Sequence, residues 1–301
     1  MELRHLRYFV ILAEELNFAR AADRLHIEQS PLSRAIKELE DKLGVMLFDR
    51  DRRGTKLTHA GTVYLQDARR ILSSLKQAHE NIQAVSAGYH GSLRIAVSDS
   101  AIDPRLSDFL TRCRAEEPET EVRLSEIPFS EQLRGLRSGD FHIGLAHTNG
   151  VGDDVIAEPI WYSRIVAALP SRHPLLVHKE LSLEQLAPFP LVMFDPQICE
   201  GYFRRLTRLM CEQGHEPNVI EHATSPDVMF TLVAAGYGIG FTSSARVATC
   251  HHPNIVVRPL AVESAVITTY LLRPNEERSS ISLERFVARL KPEDSESSGL
   301  G

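Results

Sequence analysis

The chain has 301 residues, of which 43% are hydrophobic and 25% charged, values that are ordinary for a globular protein and exclude disordered, collagen-like and disulfide-scaffold chains. Its length suggests two or three domains. No apolar run approaches the roughly 20 residues of a membrane span, and the first residues lack a signal-peptide core, so we expect a cytoplasmic protein with no membrane partner.

Charge is distributed unevenly along the chain. Residues 1–90 carry 14 Lys and Arg against 12 Asp and Glu, whereas the net charge of the whole chain is −6. The first third is therefore only mildly basic, and any contact with nucleic acid depends on a local cluster of cations.

Three short helices are predicted at the N-terminus. The first follows from an apolar stripe at steps of three and four residues, made of Leu3, Leu6, Phe9, Val10, Ala13 and Leu16. Asn17 is predicted to cap the second helix. The third starts near Glu28 to Pro31, with Ser30-Pro31 as cap and first turn, and ends at Gly44.

A hairpin and a long helix follow. Residues 48–50 and 55–57 are predicted strands around an arginine-containing turn, which together form a β-wing. Thr58 is predicted to cap a helix that runs to about Ala87 and carries one apolar stripe, made of Tyr64, Ala68, Ile71, Leu75, Ala78, Ile82 and Val85. The stripe predicts a partner helix from another subunit; the alternative is a helix that lies on its own domain.

From Leu93 onward, short apolar runs alternate with helical patterns. The predicted strands are 93–97, 122–127, 143–146, 165–169, 191–194, 239–242, 255–257 and 267–271, and the predicted helices are 104–113, 131–136, 203–211 and 227–235. This alternation predicts a mainly parallel sheet covered by helices, with a ligand site at the carboxyl ends of its strands.

The N-terminal helices and the wing predict a DNA-binding surface, because in this arrangement the third helix enters the major groove with its N-terminal residues facing the bases. Gln pairs with adenine and Arg with guanine, while Ser binds bases or phosphates. The predicted contacts from this helix are Gln29, Ser30, Pro31, Ser33 and Arg34. Arg50, Arg52 and Arg53 of the wing are predicted to contact phosphates or the minor groove; a solvated basic turn without a partner is the alternative.

Several spaced motifs carry a resemblance to a known family. In chain order they are Leu6-Arg7-Tyr8-Phe9, Asn17-Phe18-Ala19-Arg20-Ala21-Ala22, Gln29-Ser30-Pro31-Leu32-Ser33, Leu39-Glu40 with Leu43-Gly44, Leu47-Phe48-Asp49-Arg50 and Leu57-Thr58-His59-Ala60-Gly61. Together they resemble the winged helix-turn-helix of LysR-type transcriptional regulators. The resemblance extends over about residues 1–290.

The resemblance implies an α/β fold with an N-terminal all-α winged helix-turn-helix at 1–58, a linker helix at 59–90 that forms the dimer, and a periplasmic-binding-protein-like effector domain at 91–293. The effector domain would consist of subdomain I, at 91–161 and 268–293, and subdomain II, at 162–267. A disordered tail would follow at 294–301.

The implied partners are double-stranded operator DNA, a small-molecule effector, further copies of this chain in a dimer or tetramer, and RNA polymerase. Family effectors are small metabolites, often organic acids or aromatic compounds. Carried over by position, the effector site would contain Ser100, Phe129, Ser130, Gly201, Tyr202 and Phe203. His147, after the third strand, is either a further residue of this site or a hydrogen-bonded loop histidine.

Other function classes find less support. Cys199 and Cys211 lie where peroxide-sensing relatives carry their redox pair, which would make the chain a redox sensor, although Cys211 falls on an apolar helix stripe and is predicted to be core. A solute-binding module would explain the α/β part but not the N-terminal helices. The sequence has no G-x-S-x-G, H-E-x-x-H or P-loop motif and no metal-ligand spacing, so we predict no enzyme activity, no cofactor and no metal site.

Overall fold

A computed structural model of the chain describes residues 2–51, 54–86, 89, 91–98, 100–248, 252–275 and 281–290. It forms two compact units: an N-terminal unit of residues 1–87 with 138–140, and a C-terminal unit of the remaining residues. The predicted wing residues Arg52 and Arg53 and the predicted disordered tail lie outside the described residues. Within the described part, no helix is both long and apolar enough to cross a membrane.

Three helices begin the N-terminal unit, as predicted: α1 (Leu3–Glu15), α2 (Phe18–Arg24) and α3 (Gln29–Leu43). The Asn17 side chain accepts a hydrogen bond from the Arg20 amide, which confirms the predicted cap of α2. Two details were wrong. Leu16 is an exposed left-handed C-cap and not part of the buried stripe. Helix α3 begins at Gln29, within the predicted range, but its N-cap is Glu28 and not Ser30.

The predicted wing forms an antiparallel pair, β1 (Phe48–Asp51) and β2 (Gly54–Leu57). The helix α4 (His59–Ser86) follows. Thr58 caps it as predicted, because its hydroxyl accepts a hydrogen bond from the Gly61 amide at 2.9 Å. A Cβ atom at Gly61 would lie only 2.1 Å from the Leu47 carbonyl oxygen. Only glycine therefore allows α4 to start this close to β1.

Helix α4 is buried on its stripe at one end only. Ala68 is fully buried, and Tyr64 packs on Phe9 of α1 with ring centroids 5.1 Å apart. Further along the same stripe, Ile71, Leu75, Ile82 and Val85 are exposed. The first third of the helix thus lies on its own domain, and the apolar stripe beyond Ile71 is uncovered in the single chain.

The C-terminal unit alternates strands and helices. Its strands are β3 (Gly91–Val97), β4 (Thr120–Glu126), β5 (Ile143–Ala146), β6 (Val155–Pro170), β7 (Leu191–Phe194), β8 (Val219–Ala223), β9 (Ile239–Ser243), β10 (Ile255–Pro259) and β11 (Val266–Pro274). Its helices are α5 (Pro104–Glu116), α6 (Phe129–Ser138), α7 (Leu183–Leu186), α8 (Glu200–Glu212), α9 (Pro226–Ala234), α10 (Ser244–Val247) and α11 (Ile281–Leu290). The sequence patterns did not predict the first half of β6, nor did they predict four whole elements, which are β8, α7, α10 and α11.

The sheet is mixed, so the prediction of a mainly parallel sheet was wrong. Strands β4, β3 and β5 pair in parallel, as do β8, β7 and β9. The long strands β6 and β11 join these two groups through antiparallel pairs. They were mispredicted because an antiparallel strand that returns between two βα units shows the same apolar run as a parallel one.

Strand β6 exchanges its partners halfway along its length. It pairs with β11 as far as Arg164, and from Ile165 onward with β9 and β10. Separate apolar cores lie on either side of this exchange, one containing Phe109 and Phe286 and the other Met229 and Phe241. The C-terminal unit therefore has two α/β halves that share two continuous strands.

Candidate functional site

The N-terminal half of α3 presents a polar surface. Gln29, Ser30 and Arg34 are exposed, whereas Pro31 and Ser33 are half-buried. The opposite face of the helix buries Leu32, Ile36 and Leu39 in the core of the unit. Amphipathicity thus leaves the side chains predicted to read bases on the solvent side of the helix.

Arg50 is engaged within the N-terminal unit. Its Nη2 atom donates a hydrogen bond to Glu40 Oε2 at 2.9 Å, and its guanidinium carbon lies 4.9 Å from the centroid of the Phe18 ring. The other Glu40 oxygen accepts the amides of Leu47 and Phe48. Contacts with α2 and α3 therefore hold Arg50 within this unit.

The C-terminal unit contains a small cavity where the carboxyl ends of β3, β5, β7 and β9 meet β6 and β11. Its volume is about 20 Å³, and it is lined by Ser100, Ala101, Ile102, Asp103, His147, Ser163, Phe194, Tyr202, Thr242, Ser243, Arg246, Ile267 and Thr269. This position follows from the rule that ligands of α/β sheets bind beyond the carboxyl ends of parallel strands. Residues of both α/β halves meet there.

Tyr202 lines this cavity and has a buried hydroxyl group. The side chain is only 4% exposed, and its hydroxyl has no hydrogen-bond partner among the described residues. Its ring lies edge-on to Phe194, with centroids 5.0 Å apart, and to His147 at 5.7 Å. Burial raises the pKa of Tyr202, so the phenol stays protonated and is available as a donor.

Two arginines set the charge around the cavity. Arg246 Nη2 donates to the Ser100 carbonyl oxygen at 3.3 Å, across the two halves, and Ser100 has a left-handed backbone with φ of 55°. Asp103 is paired with Arg105 at 2.7 Å. Burial alone would raise the pKa of Asp103, but the hydrogen bonds and charge of Arg105 hold it below its usual value. The Asp103 carboxylate is thus balanced by Arg105, and Arg246 adds positive charge at the cavity.

His147 is hydrogen-bonded to the backbone and also lines the cavity. Its Nδ1 atom lies 3.1 Å from the Thr268 carbonyl oxygen, and the ring lines the cavity. A carbonyl oxygen only accepts hydrogen bonds, so Nδ1 carries the proton and Nε2 is left as an acceptor. Burial, reinforced by the charge of Arg246, lowers the pKa of His147 to about 4, so the ring is neutral at pH 7.

The structure brings together three of the seven predicted effector residues, Ser100, His147 and Tyr202. The other four lie elsewhere: Phe129 is buried in an apolar cluster at the start of α6, Ser130 is exposed beside it, Gly201 is buried in α8, and Phe203 packs near His222.

Sequence reasoning missed Thr242 and Arg246 at the cavity. A signal existed for Thr242, because it ends a predicted strand, where the ligand sites of parallel sheets lie. Arg246 follows in a one-turn helix that no apolar pattern marked.

The two cysteines of the predicted redox pair lie at opposite ends of α8. Cys199 is buried, with its Sγ atom 3.6 Å from Ser100 Oγ. Cys211 is exposed, so its predicted place in the core was wrong. The helix buries Leu209 and Met210, and the next position turns about 100° away from that face.

A helix-turn-helix unit with a wing, joined through a long helix to an α/β unit with a polar cavity, defines a DNA-binding regulator with a ligand-binding domain. Family comparison agrees with this class. Residues 3–62 match the bacterial regulatory helix-turn-helix protein, lysR family, and residues 86–295 match the LysR substrate binding domain. The chain therefore belongs to the LysR family of transcriptional regulators, which confirms the predicted fold class and DNA-binding function.

Curated relatives and solved structures extend this match over nearly the whole chain. The chain is 33% identical to the uncharacterized HTH-type transcriptional regulator YnfL of Escherichia coli K12, over 96% of this chain and 98% of that protein. It is 34% identical to the regulator AlsR of Bacillus subtilis 168, over 81% of each chain. The crystal structure of full-length CbnR complexed with its target DNA matches with a TM-score of 0.69 and 26% identity, over 96% and 99% of the two chains. A solute-binding module without DNA function, the alternative prediction, does not hold.

Proposed function

We propose that the effector of this regulator is a small organic carboxylate bound in the cavity at the strand ends. The observation that carries the proposal is the buried hydroxyl of Tyr202, which lacks an acceptor among the described residues and shares the cavity with Arg246. A buried unpaired hydroxyl costs about 1–3 kcal/mol, so a ligand that accepts its hydrogen bond recovers this free energy. An acceptor of negative charge also suits Arg246.

The lining favours a polar, acceptor-rich ligand with a flat apolar part. The buried Thr242 and Thr269 line the cavity with Ser100 and Ser163, and hydroxyl groups such as theirs donate hydrogen bonds to carboxylate oxygens. The ring of Phe194 provides an apolar wall. A carboxylate on a small aliphatic or aromatic frame satisfies both features.

Binding of such a ligand requires the cavity to widen. A volume of about 20 Å³ accommodates about one water molecule, and among the described strands β6 and β11 connect the two halves. Movement about these strands separates the halves. A ligand that binds one arrangement better shifts the population of the regulator toward it, and by no more than that difference in affinity.

The test is a thermal-shift screen of the full chain against aliphatic, hydroxy and aromatic carboxylates, each paired with its uncharged amide. We expect a rise in melting temperature that increases with concentration, as mass action requires, for a carboxylate but not for its amide. Arg246→Met should abolish the rise, and Arg164→Met, at an exposed arginine of β6, should retain it. A rise with an amide that equals the rise with its acid would overturn the proposed chemistry.

We propose further that α4 forms the dimer. The stripe from Ile71 to Val85 is apolar and exposed on a helix of 28 residues, and such a seam is stabilised when a second helix covers it. In size-exclusion chromatography with light scattering, Ile82→Glu should lower the mass of the full chain toward that of a monomer. Gln83→Glu, one position off the stripe, is the matched control and should not. An unchanged mass for Ile82→Glu would show that the dimer contact lies elsewhere. A tetramer and a contact with RNA polymerase stay predictions.

We propose that the regulator acts by binding DNA and effector without catalysing a reaction, in the cytoplasm where bacterial DNA lies. Its curated relatives are named transcriptional regulators, which supports this role. Incubating the full chain with the ligand from the screen should return that ligand chemically unchanged by mass spectrometry.

The redox alternative finds little support in the geometry of α8. Cys199 and Cys211 are twelve positions apart, which corresponds to roughly 18 Å along a helix, whereas a disulfide requires Cα atoms within about 7 Å of each other. Formation of that disulfide would therefore unwind most of α8. Peroxide treatment should leave the non-reducing peptide map without a crosslink between these two cysteines.

A further inference from the structure

A buried carboxylate lies beside the predicted DNA-binding surface. Glu40, near the end of α3, is 3% exposed, and each of its two oxygens is hydrogen-bonded. Oε1 accepts the amide of Leu47 at 2.9 Å and the amide of Phe48 at 3.1 Å. Glu40 therefore holds the start of the first wing strand against α3 through backbone contacts.

Arg50 completes this arrangement from the wing. Its side chain is 35% exposed, pairs with Glu40 Oε2 at 2.9 Å and lies over the Phe18 ring. Successive residues of a strand face opposite sides, so Arg50 shares the side of the buried Phe48, while Asp49 faces away from it. Arg50 thus connects α2, α3 and β1 on the inner side of the wing.

We infer that Arg50 is a positioning residue for DNA binding and not a phosphate contact. Glu40 and Arg50 form a clamp that fixes the wing relative to α3, so that both elements meet DNA together. This revises the sequence-based prediction for Arg50 and leaves the predictions for Arg52 and Arg53 as they were. The inference rests on α3 and the wing as the DNA-facing elements, which is itself a prediction for this chain.

The clamp and a phosphate contact differ in their salt dependence. Loss of a phosphate contact reduces the steepness with which log affinity falls against log salt by about 0.9. Loss of the clamp instead lowers the affinity at every salt concentration because the wing is poorly positioned, and this loss is the same whether Arg50 or Glu40 is replaced. Arg50→Met retains a long side chain without the charge. Glu40→Gln retains an acceptor for the two backbone amides but loses the ion pair.

The experiment measures binding of the full-length protein to a duplex that the wild type has enriched from a random library, over a range of salt concentrations. We expect Arg50→Met and Glu40→Gln each to weaken binding roughly tenfold with an unchanged salt slope, and the double variant to be no weaker than either single variant. Hydroxyl-radical footprints should lose the protection from the wing while that from α3 persists, a change that general destabilisation does not produce. Arg53→Ala is the control and should lower the slope by about one.

A salt slope lowered by about one in Arg50→Met, with Glu40→Gln binding normally, would overturn the inference and make Arg50 a phosphate contact. Additive losses in the double variant would also overturn it. If circular dichroism shows that Glu40→Gln is unfolded, the slope and footprint of Arg50→Met decide alone. Two footprint results would instead refute the assignment of α3 as a DNA-facing element. One is a wild-type footprint without protection of the predicted groove, and the other is an equal loss of all protection in the variants.

Discussion

Replacing Tyr202 by phenylalanine removes one oxygen atom from the cavity of the C-terminal unit and changes stability and ligand affinity in opposite directions. The hydroxyl is buried and has no partner among the described residues. In the ligand-free protein its removal should therefore raise the free energy of unfolding, by about 1 kcal/mol. For a unit of this size, that corresponds to roughly 2–4 °C in melting temperature.

The affinity for the carboxylate should fall, because a hydrogen bond to a charged group contributes about 1.5–3 kcal/mol. This corresponds to binding weaker by roughly ten- to a hundredfold. Urea denaturation followed by the fluorescence of Trp161, which is the single tryptophan and is buried in the C-terminal unit, gives the stability. Isothermal calorimetry with the carboxylate found in the screen gives the affinity.

Tyr237→Phe is the matched control, because Tyr237 is 51% exposed and lies outside the cavity; it should change neither quantity. The prediction for Tyr202 is wrong if Tyr202→Phe destabilises the ligand-free protein by about 1 kcal/mol or more, since the hydroxyl would then have a partner. It is equally refuted if the variant binds the carboxylate as tightly as the wild type.

Three further predictions test other parts of the molecule. Arg34→Ala, at an exposed position of α3, should weaken binding to the enriched duplex by about 1–3 kcal/mol if Arg34 reads a guanine, as measured by fluorescence anisotropy. An equal loss of affinity for random DNA would make Arg34 a phosphate contact. Burial lowers the pKa of both His142 and His147 to about 4, so between pH 6.5 and 4 the unfolded chain binds more protons than the folded one. The free energy of unfolding should therefore decrease as the pH is lowered through this range, and a urea midpoint that stays constant from pH 7 to 5 would contradict this. Burial raises the pKa of the Cys113 thiol to about 11, so at pH 8 iodoacetamide should label the exposed Cys211 well before Cys113, as read by peptide mass spectrometry.

Local patterns predicted most of the N-terminal unit. The cap at Asn17, the cap at Thr58 and the glycine end of α3 are decided by hydrogen bonds within three or four residues, and such contacts can be read from neighbouring letters. The errors occurred at helix ends, where the backbone leaves the helical conformation and the apolar spacing no longer predicts burial. Leu16 continues the apolar spacing of α1 but lies at a left-handed cap, where it is exposed.

The C-terminal unit shows the limit of such patterns. Apolar runs located eight strands correctly in part, but they gave no information on direction, so the antiparallel course of β6 and β11 was missed. The first half of β6 contains Glu158, Pro159 and Arg164, which interrupt the apolar run; its partner β11 supports it nonetheless. Arg273 of β11 pairs with Glu158 at 2.8 Å across 115 residues of sequence.

The class of this protein could be predicted from its residues alone, because the spaced motifs of a winged helix-turn-helix and the alternation of strands and helices are properties of short segments. Tertiary structure alone decided which side chains share a site. Arg246 meets Ser100 across 146 residues, Arg50 pairs with Glu40, and the hydroxyl of Tyr202 has no acceptor within the described part of the chain. Each outcome depends on chain segments that packing brings together. The residue pattern within one segment does not specify which side chains of a distant segment will contact it.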